Sequence, residues 1–344
     1  MTLLAVETSC DETSVAVIQA GRVLANMVST QINLHAEYGG VVPELATREH
    51  LRNFLPVARA GLNAAGVEAS QLDAVAATQG PGLPNALMVG FKAGQALAFA
   101  LRKPFLGIHH HEAHLYSPWI AGDPPVADFD AFQPNVSLIV SGGHTMLVHV
   151  RAELEHTVLG STLDDAAGEC FDKVGKLIGL PYPGGPVVDR LAAQGNPAAY
   201  DFPRPLLRDA TDDFSFSGLK TAVRYFLQKH PTLPDDPQKL RDLCASVQAA
   251  IVEVLVTKTI RAAKRLGVGG VTASGGVTCN LGLRAGLAAA CARGGLWLRL
   301  AEKSLCTDNA AMIGILAERK LLNGVPVPAL DAEIMPGWGL DTVV

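Results

Sequence analysis

"LLAVETSCDETSVAVI" runs from Leu3 to Ile18, and its reading decides the fold. Two apolar runs, Leu3–Val6 and Val15–Ile18, flank "ETSCDETS", which packs the carboxylates Glu7, Asp11 and Glu12 and the hydroxyls Thr8, Ser9, Thr13 and Ser14 into eight residues without a glycine. Apolar runs joined by a tight polar connection describe antiparallel strands, and a third run follows at Val23–Val28. The pattern predicts a meander over Leu3–Thr8, Thr13–Ile18 and Val23–Val28. Its first turn is acidic where a glycine would ease the bend, so those side chains need a reason to be there.

Working outward, Pro43 suits the first turn of a helix in which Leu45, His50, Leu51, Phe54, Leu55, Ala58 and Leu62 recur at three- and four-residue steps until Gly66. A strand at Ala74–Thr78, a helix at Asn85–Leu101, a strand at Phe105–Ile108 and a His-rich helix complete the order β-β-β-α-β-α-β-α. After the Pro- and Asp-punctuated stretch Gly122–Pro134 the order starts again, with runs at Val136–Val140, Thr145–Val150 and His156–Gly160. A long helix carrying Leu240, Leu243, Val247, Ile251 and Val254 follows, then a strand at Val271–Ala273, a helix from Asn280, a strand at Leu296–Leu300 and a closing helix after Thr307. Residues 180–233, rich in Pro, Gly and Asp, read as an elaborated loop region. The expected division is a first domain over 1–121 completed by 307–344, a linker over 122–135, and a second domain over 136–306 that contains this insertion. Duplicated α/β units led by meanders suggest a nucleotide bound in a cleft between them, with its phosphates at the first turn of each meander.

Composition narrows the class. The chain has 344 residues, of which 49% are hydrophobic and 18% charged, so it can bury a core and is not a disordered chain. A formal charge of −5 removes any broad basic surface as a nucleic-acid footprint, although Lys258, Arg261, Lys264 and Arg265 recur at helical spacing as a local stripe or a solvated face. The six cysteines show no Cys-x-x-Cys spacing, the N-terminus lacks the basic flank of a signal peptide, and Lys92 interrupts the longest apolar stretch. A cytoplasmic protein with no membrane association is expected.

Several short motifs carry chemistry. "IVSGGHT", Ile139–Thr145, sets two glycines at a strand-to-strand turn where backbone N–H groups can form an anion-binding nest. "TASGGVTCN", Thr272–Asn280, repeats Ser-Gly-Gly before a helix whose N-terminus suits a polar ligand group, and "YPGGPVVD", Tyr182–Asp189, is a third Gly-rich turn. Within "HHHEAH", His109–His114, the four-residue step between His110 and His114 puts both imidazoles on one helix face, as a shared metal requires. Glu112 lies between them, so this is not the metalloprotease order. Asp308 in "SLCTDNAAMIG", Ser304–Gly314, reads alone as a helix N-cap, as does Thr307.

Taken in order, "ETSCDETS", "GPGL" (80–83), "HHEAH", "IVSGGHT", "DDAAGECFDK" (164–173), "YPGGP", "FSFSGLKT" (214–221), "ASGGV" and "CTDNAAM" resemble the tRNA N6-adenosine threonylcarbamoyltransferase family, historically the O-sialoglycoprotein endopeptidase family. The resemblance covers almost the whole chain. It implies an actin-like fold of the sugar-kinase and Hsp70 type, and one divalent metal per subunit held by His110, His114 and Asp308. Two imidazoles and a carboxylate suit iron(II) and are also compatible with zinc or magnesium. Family substrate contacts map onto Ile139, Val140, Ser141, Gly142, Gly143, Asp172, Gly185, Asp189 and Asn280.

The implied reaction moves a threonylcarbamoyl group from threonylcarbamoyl-AMP to the exocyclic amine, N6, of the adenosine beside the anticodon of tRNA. Implied partners are a paralogous actin-like subunit and a small ATPase. In that setting Thr8, Ser9 and Thr13 are expected to donate to oxyanions and Asp11 to accept the amine proton, with Glu12 the alternative. Two other functions compete: a metalloprotease sharing the histidines, and an actin-like ATPase or sugar kinase that would not need them.

Overall fold

A computed structural model describes residues 1–327 and 329–343. Pro328 and Val344, both within the stretch expected to complete the first domain, lie outside the described residues. In chain order the elements are β1 (Thr2–Glu7), β2 (Glu12–Gln19), β3 (Arg22–Thr30), α1 (Ile32–Ala36), α2 (Pro43–Ala65), β4 (Ala74–Gly80), α3 (Pro84–Leu101), β5 (Phe105–His109), α4 (His110–Tyr116), β6 (Ile120–Ala121) and β7 (Val126–Ala127). They continue with β8 (Asn135–Val140), β9 (Thr145–Ala152), β10 (Glu155–Ser161), α5 (Ala167–Leu177), α6 (Gly184–Ala192), α7 (Ser217–Lys229), α8 (Pro237–Leu266), β11 (Gly270–Ser274), α9 (Leu281–Gly294), β12 (Trp297–Leu300) and α10 (Ala310–Leu322). The chain divides into one unit of Met1–Phe132 with Thr307–Val344 and another of Gln133–Cys306.

The first unit's sheet runs β5-β4-β1-β2-β3-β7-β6 among the described residues. β1 pairs antiparallel with β2 and parallel with β4, which explains why every residue of Thr2–Glu7 is buried: a strand covered on both faces reads as a continuous apolar run. Proline at the first helical position starts α2 and α3, and Gly66, left-handed at φ 65°, ends α2. α10 returns to this unit, where the Ala310 N–H donates to Ser14 Oγ at 2.9 Å. The stretch expected as a linker holds β7, which pairs antiparallel with β6 and, through Val126, with Arg22 of β3. Strands of two residues are too short to leave a periodic signal.

The second unit repeats the plan as β10-β9-β8-β11-β12: three antiparallel strands followed by two parallel ones, as in β3-β2-β1-β4-β5. α8 crosses its core. Asp236 caps this helix by accepting from the N–H groups of Gln238 (3.0 Å) and Lys239 (3.2 Å), and Leu243, Val247, Ile251, Val254 and Leu255 are buried along it. α8 is the one described helix long and apolar enough to cross a membrane, but 72% of its apolar window is buried within the protein, which makes it a core helix.

Two expectations fail here for physical reasons. Residues 180–233 are not only loop: they hold α6 and α7, which bury Val188, Leu219 and Val223. α7 starts without a side-chain cap and α6 opens on Gly-Gly-Pro, so neither announces itself. The basic stripe on α8 is not simply a solvated face: Lys264 and Arg265 are exposed, but most of the stripe is engaged within the chain. Buried Lys258 donates to Thr211 O at 2.8 Å, Arg261 to Asp209 O at 2.7 Å and Thr211 O at 2.6 Å, and Arg265 grips the Asp212 carboxylate with both terminal nitrogens. Three of the four cations fasten residues 209–212 to the helix.

Candidate metal centre and glycine-rich turns

β1 ends at Glu7 and β2 resumes at Glu12, so Thr8–Asp11 make the whole turn. Side-chain hydrogen bonds hold it. Glu7 Oε1 accepts the Ser9 N–H at 2.5 Å. The Thr8 hydroxyl donates to Ala86 O (2.9 Å) and accepts the Gly90 N–H (3.2 Å), while Ser9 O accepts the Leu83 N–H at 2.8 Å. That contact explains the second glycine of "GPGL": a Cβ on Gly82 would lie 2.6 Å from Ser9 O. On the other side, buried His50 meets the Thr13 hydroxyl through Nδ1 (2.8 Å) and donates from Nε2 to Cys10 O (3.0 Å). Thr8 and Thr13, expected as oxyanion donors, are therefore buried anchors, because their hydroxyls already serve backbone and imidazole. Ser9, also buried, places Oγ 3.3 Å from His110 Nδ1.

α4 follows β5 without a loop, and His109 Nδ1 accepts the Glu112 N–H at 3.2 Å to cap it. His110 and His114 then face the same way, both buried. The cap of α10 is Asn309, whose side chain accepts from Met312 N–H at 3.2 Å, so Asp308 is free of the capping role that its sequence position suggested. Asp308 Oδ1 lies 3.4 Å from His110 Nε2 and 3.3 Å from His114 Nε2. The three ligand atoms fall within 4.8 Å of one another. His114 Nε2 is buried and, among the described residues, meets no polar partner besides Asp308, as expected of a lone pair and a carboxylate converging on one cation. Two imidazole nitrogens from α4 and one carboxylate oxygen from the turn before α10 can hold a divalent metal and leave further coordination positions open.

Glu7 belongs to this centre, and the sequence reading missed it. Its Oε2 accepts from the Thr78 hydroxyl at 2.5 Å and lies 3.0 Å from His110 Nδ1. The available signal was a carboxylate directly after the apolar run Leu3–Val6, since an ionisable side chain with no exposure needs a partner. Burial alone would raise the Glu7 and Asp308 carboxyls and lower the His110 imidazole. The opposite charges outweigh it: His110 lowers Glu7, His110 and His114 hold Asp308 well below the usual carboxylate range, and Asp308 with Glu7 lifts His110 well above the usual histidine range. Half-buried Glu12 goes the other way. Burial, then the charges of Asp11 and Asp308, push its carboxyl well above the ordinary value.

The second unit gathers the glycine-rich turns. Ile139 and Val140 are buried at the end of β8. Ser141 then closes the turn, its N–H donating to His144 O (2.8 Å) and its Oγ accepting the His144 N–H (3.1 Å), while Gly142 and Gly143 are exposed at the tip. β11 lies beside β8 with Ser274 opposite Ile139, and Gly275, at φ +91°, passes so close that a Cβ there would lie 2.4 Å from Val140 O. The two Ser-Gly-Gly turns are thus neighbours. Asp172 Oδ1 accepts the Gly185 N–H at 3.0 Å, and burial pushes this carboxyl up. Asn280 caps α9 through the Leu283 N–H (2.8 Å) and donates to Gln248 Oε1 (2.7 Å). Asp189 accepts from the Leu281 N–H at 2.9 Å and the Gly282 N–H at 3.4 Å. The α9 N-terminus, expected to await a ligand, is already occupied by the chain's own carboxylate, a partner 92 residues away that no local reading supplies.

Residues 22–315 match the family tRNA N6-adenosine threonylcarbamoyltransferase. A protein of that name from Geotalea uraniireducens is 48% identical over 344 residues, covering 100% of this chain and 98% of the relative; one from Geobacter metallireducens is 49% identical with the same coverage. Among solved structures, HypF of T. kodakarensis aligns with TM-score 0.60 at 13% identity over 94% of this chain and 48% of that one. Component A of the Acidaminococcus fermentans (R)-2-hydroxyglutaryl-CoA dehydratase aligns with TM-score 0.54 at 13% identity over 94% and 99%. Those two likenesses carry the fold, which is actin-like.

Proposed function

The chain belongs to the tRNA N6-adenosine threonylcarbamoyltransferase family, and we propose that it carries out that family's acyl transfer through the residues described above. The enzyme is a transferase acting on tRNA. The donor is threonylcarbamoyl-AMP and the acceptor is N6 of the adenosine beside the anticodon; the N6–carbonyl bond forms, the bond between carbonyl and phosphate oxygen breaks, and AMP leaves. The observation that carries this reading is family membership over the full chain, joined to an intact three-ligand group at His110, His114 and Asp308.

In the second unit, Gly142 and Gly143 present backbone N–H groups to the phosphate, and Asp172, Gly185, Asp189 and Asn280 shape the surroundings of the adenylate. In the first unit, His110, His114 and Asp308 hold one divalent metal, with iron(II) the best match to the ligand set. Such a metal supplies Lewis-acid polarisation. The exocyclic amine is a feeble nucleophile that becomes acidic as it attacks, so a carboxylate must take its proton. Asp11 is the proposed acceptor, with Glu12, whose carboxyl is pushed well above its ordinary value by burial and then by the charges of Asp11 and Asp308, as the alternative. A paralogous actin-like subunit and a small ATPase as partners, and a cytoplasmic location, complete the proposal.

The test is acceptor replacement. With threonylcarbamoyl-AMP and the partner proteins, the chain should modify a tRNA with the adenosine in place and leave untouched one in which another base replaces it. Equal modification of both would contradict the proposal.

A further inference from the structure

His110 is the only member of the three-ligand group whose two ring nitrogens both face a carboxylate: Nε2 is 3.4 Å from Asp308 Oδ1, and Nδ1 is 3.0 Å from Glu7 Oε2. Once a metal takes Nε2, the remaining ring proton must sit on Nδ1, and it needs an acceptor there. Glu7 has no exposed surface and is fixed from three directions: the Ser9 N–H on Oε1, and the Thr78 hydroxyl and His110 on Oε2. Ser9 Oγ, at 3.3 Å from the same Nδ1, is the longer and uncharged alternative. His114 has no such support, since its Nδ1 is buried without a hydrogen-bond partner among the described residues.

From this asymmetry we infer that Glu7 is the positioning residue of the metal centre: its carboxylate accepts the Nδ1–H of His110, fixes the ring's tautomer and orientation, and so sets metal affinity from outside the ligand set. A carboxylate behind a ligating imidazole raises its basicity and typically changes metal affinity 10–100-fold. The inference also explains why the opening turn carries a carboxylate at this position. One side chain closes the Thr8–Asp11 turn through Ser9 and orients a ligand 103 residues away, tying Asp11 and Glu12 to the metal centre. It rests on the metal-site reading proposed above.

The experiment measures binding of Zn(II) alone, by competition with a chromophoric chelator, for the full-length wild type, Glu7→Gln, His110→Ala and Asp308→Ala, each first shown to be folded by its metal-free thermal transition. Glu7→Gln keeps size but offers a single, neutral acceptor oxygen to the Ser9 N–H and the His110 N–H. It should bind Zn(II) about 10–100-fold more weakly while the two ligand variants lose the site. In parallel, nitrogen-15 spectra of histidine-labelled, Zn(II)-loaded wild type, assigned with the His110→Ala variant, should show His110 protonated at Nδ1 and ligating through Nε2. Undiminished affinity in folded Glu7→Gln, or His110 ligating through Nδ1, overturns the inference, and the wild-type spectrum decides alone if that variant does not fold. If both ligand variants bind Zn(II) like wild type, it is the metal-site reading that fails.

Discussion

Lys320 Nζ lies 2.7 Å from Glu112 Oε2, and both side chains are buried where α10 packs on α4. This pair settles what Glu112 does inside "HHEAH". A metalloprotease needs a carboxylate free to draw a proton from water, whereas this one is taken up by a lysine of another helix. Removing one partner of a buried ion pair strands the other, so Lys320→Met should lower unfolding free energy by about 3–5 kcal/mol, and Glu112→Gln combined with Lys320→Met should recover much of it. Urea denaturation of both variants checks this.

The three ligands should fail together. His110→Ala, His114→Ala and Asp308→Ala are each expected to lower bound metal and transfer activity in parallel, because two ligands cannot hold what three share. Elemental analysis alongside the transfer assay tests the point. Full metal occupancy in Asp308→Ala would take that residue out of the ligand set.

Asp11 and Glu12 should separate. Asp11→Asn is expected to keep adenylate affinity and slow single-turnover transfer by roughly 10²–10⁴-fold, the range of a lost general base. Glu12→Gln should cost far less, since Asp11 is the proposed acceptor. A reversed pattern moves the role one residue along.

His50 gives a pH signature of stability. Burial lowers its pKa below the ordinary 6.5, so below that pH the unfolded chain takes up a proton that the folded chain resists. The unfolded state binds more protons there, and stability must fall as pH drops from 6.5 towards the depressed folded value; above 6.5 the contribution disappears. The urea midpoint of wild type should therefore decline more between pH 7.5 and 5.5 than that of His50→Asn. Equal declines would show that burial of His50 does not oppose its protonation.

Much of this was legible in the sequence, and what was not shares a cause. Leu3–Val6, Val15–Ile18 and Val136–Val140 announce the meanders because strands buried on both faces must be continuously apolar. His110 and His114 are legible because a helix fixes the four-residue step. Lys258 is not, because a lysine in a helical pattern reads as solvated until the carbonyl of Thr211 is folded against it. The ion partner of Glu112, the carboxylate on the α9 N-terminus and the imidazole facing Glu7 also lie far away in sequence, where periodicity carries no information. α7 was lost between Phe202 and Leu233 because the prolines before it masked an amphipathic helix that has no cap.

The most direct test counts products. Purified chain with its metal, threonylcarbamoyl-AMP, tRNA and the partner proteins should release one AMP for each N6-threonylcarbamoyladenosine found by mass spectrometry of the digested tRNA, with peptide and glycoprotein hydrolysis at background. His110→Ala should abolish the nucleoside. Metal-dependent cleavage of a glycoprotein that is lost in His110→Ala, with no modified nucleoside formed, would contradict the account.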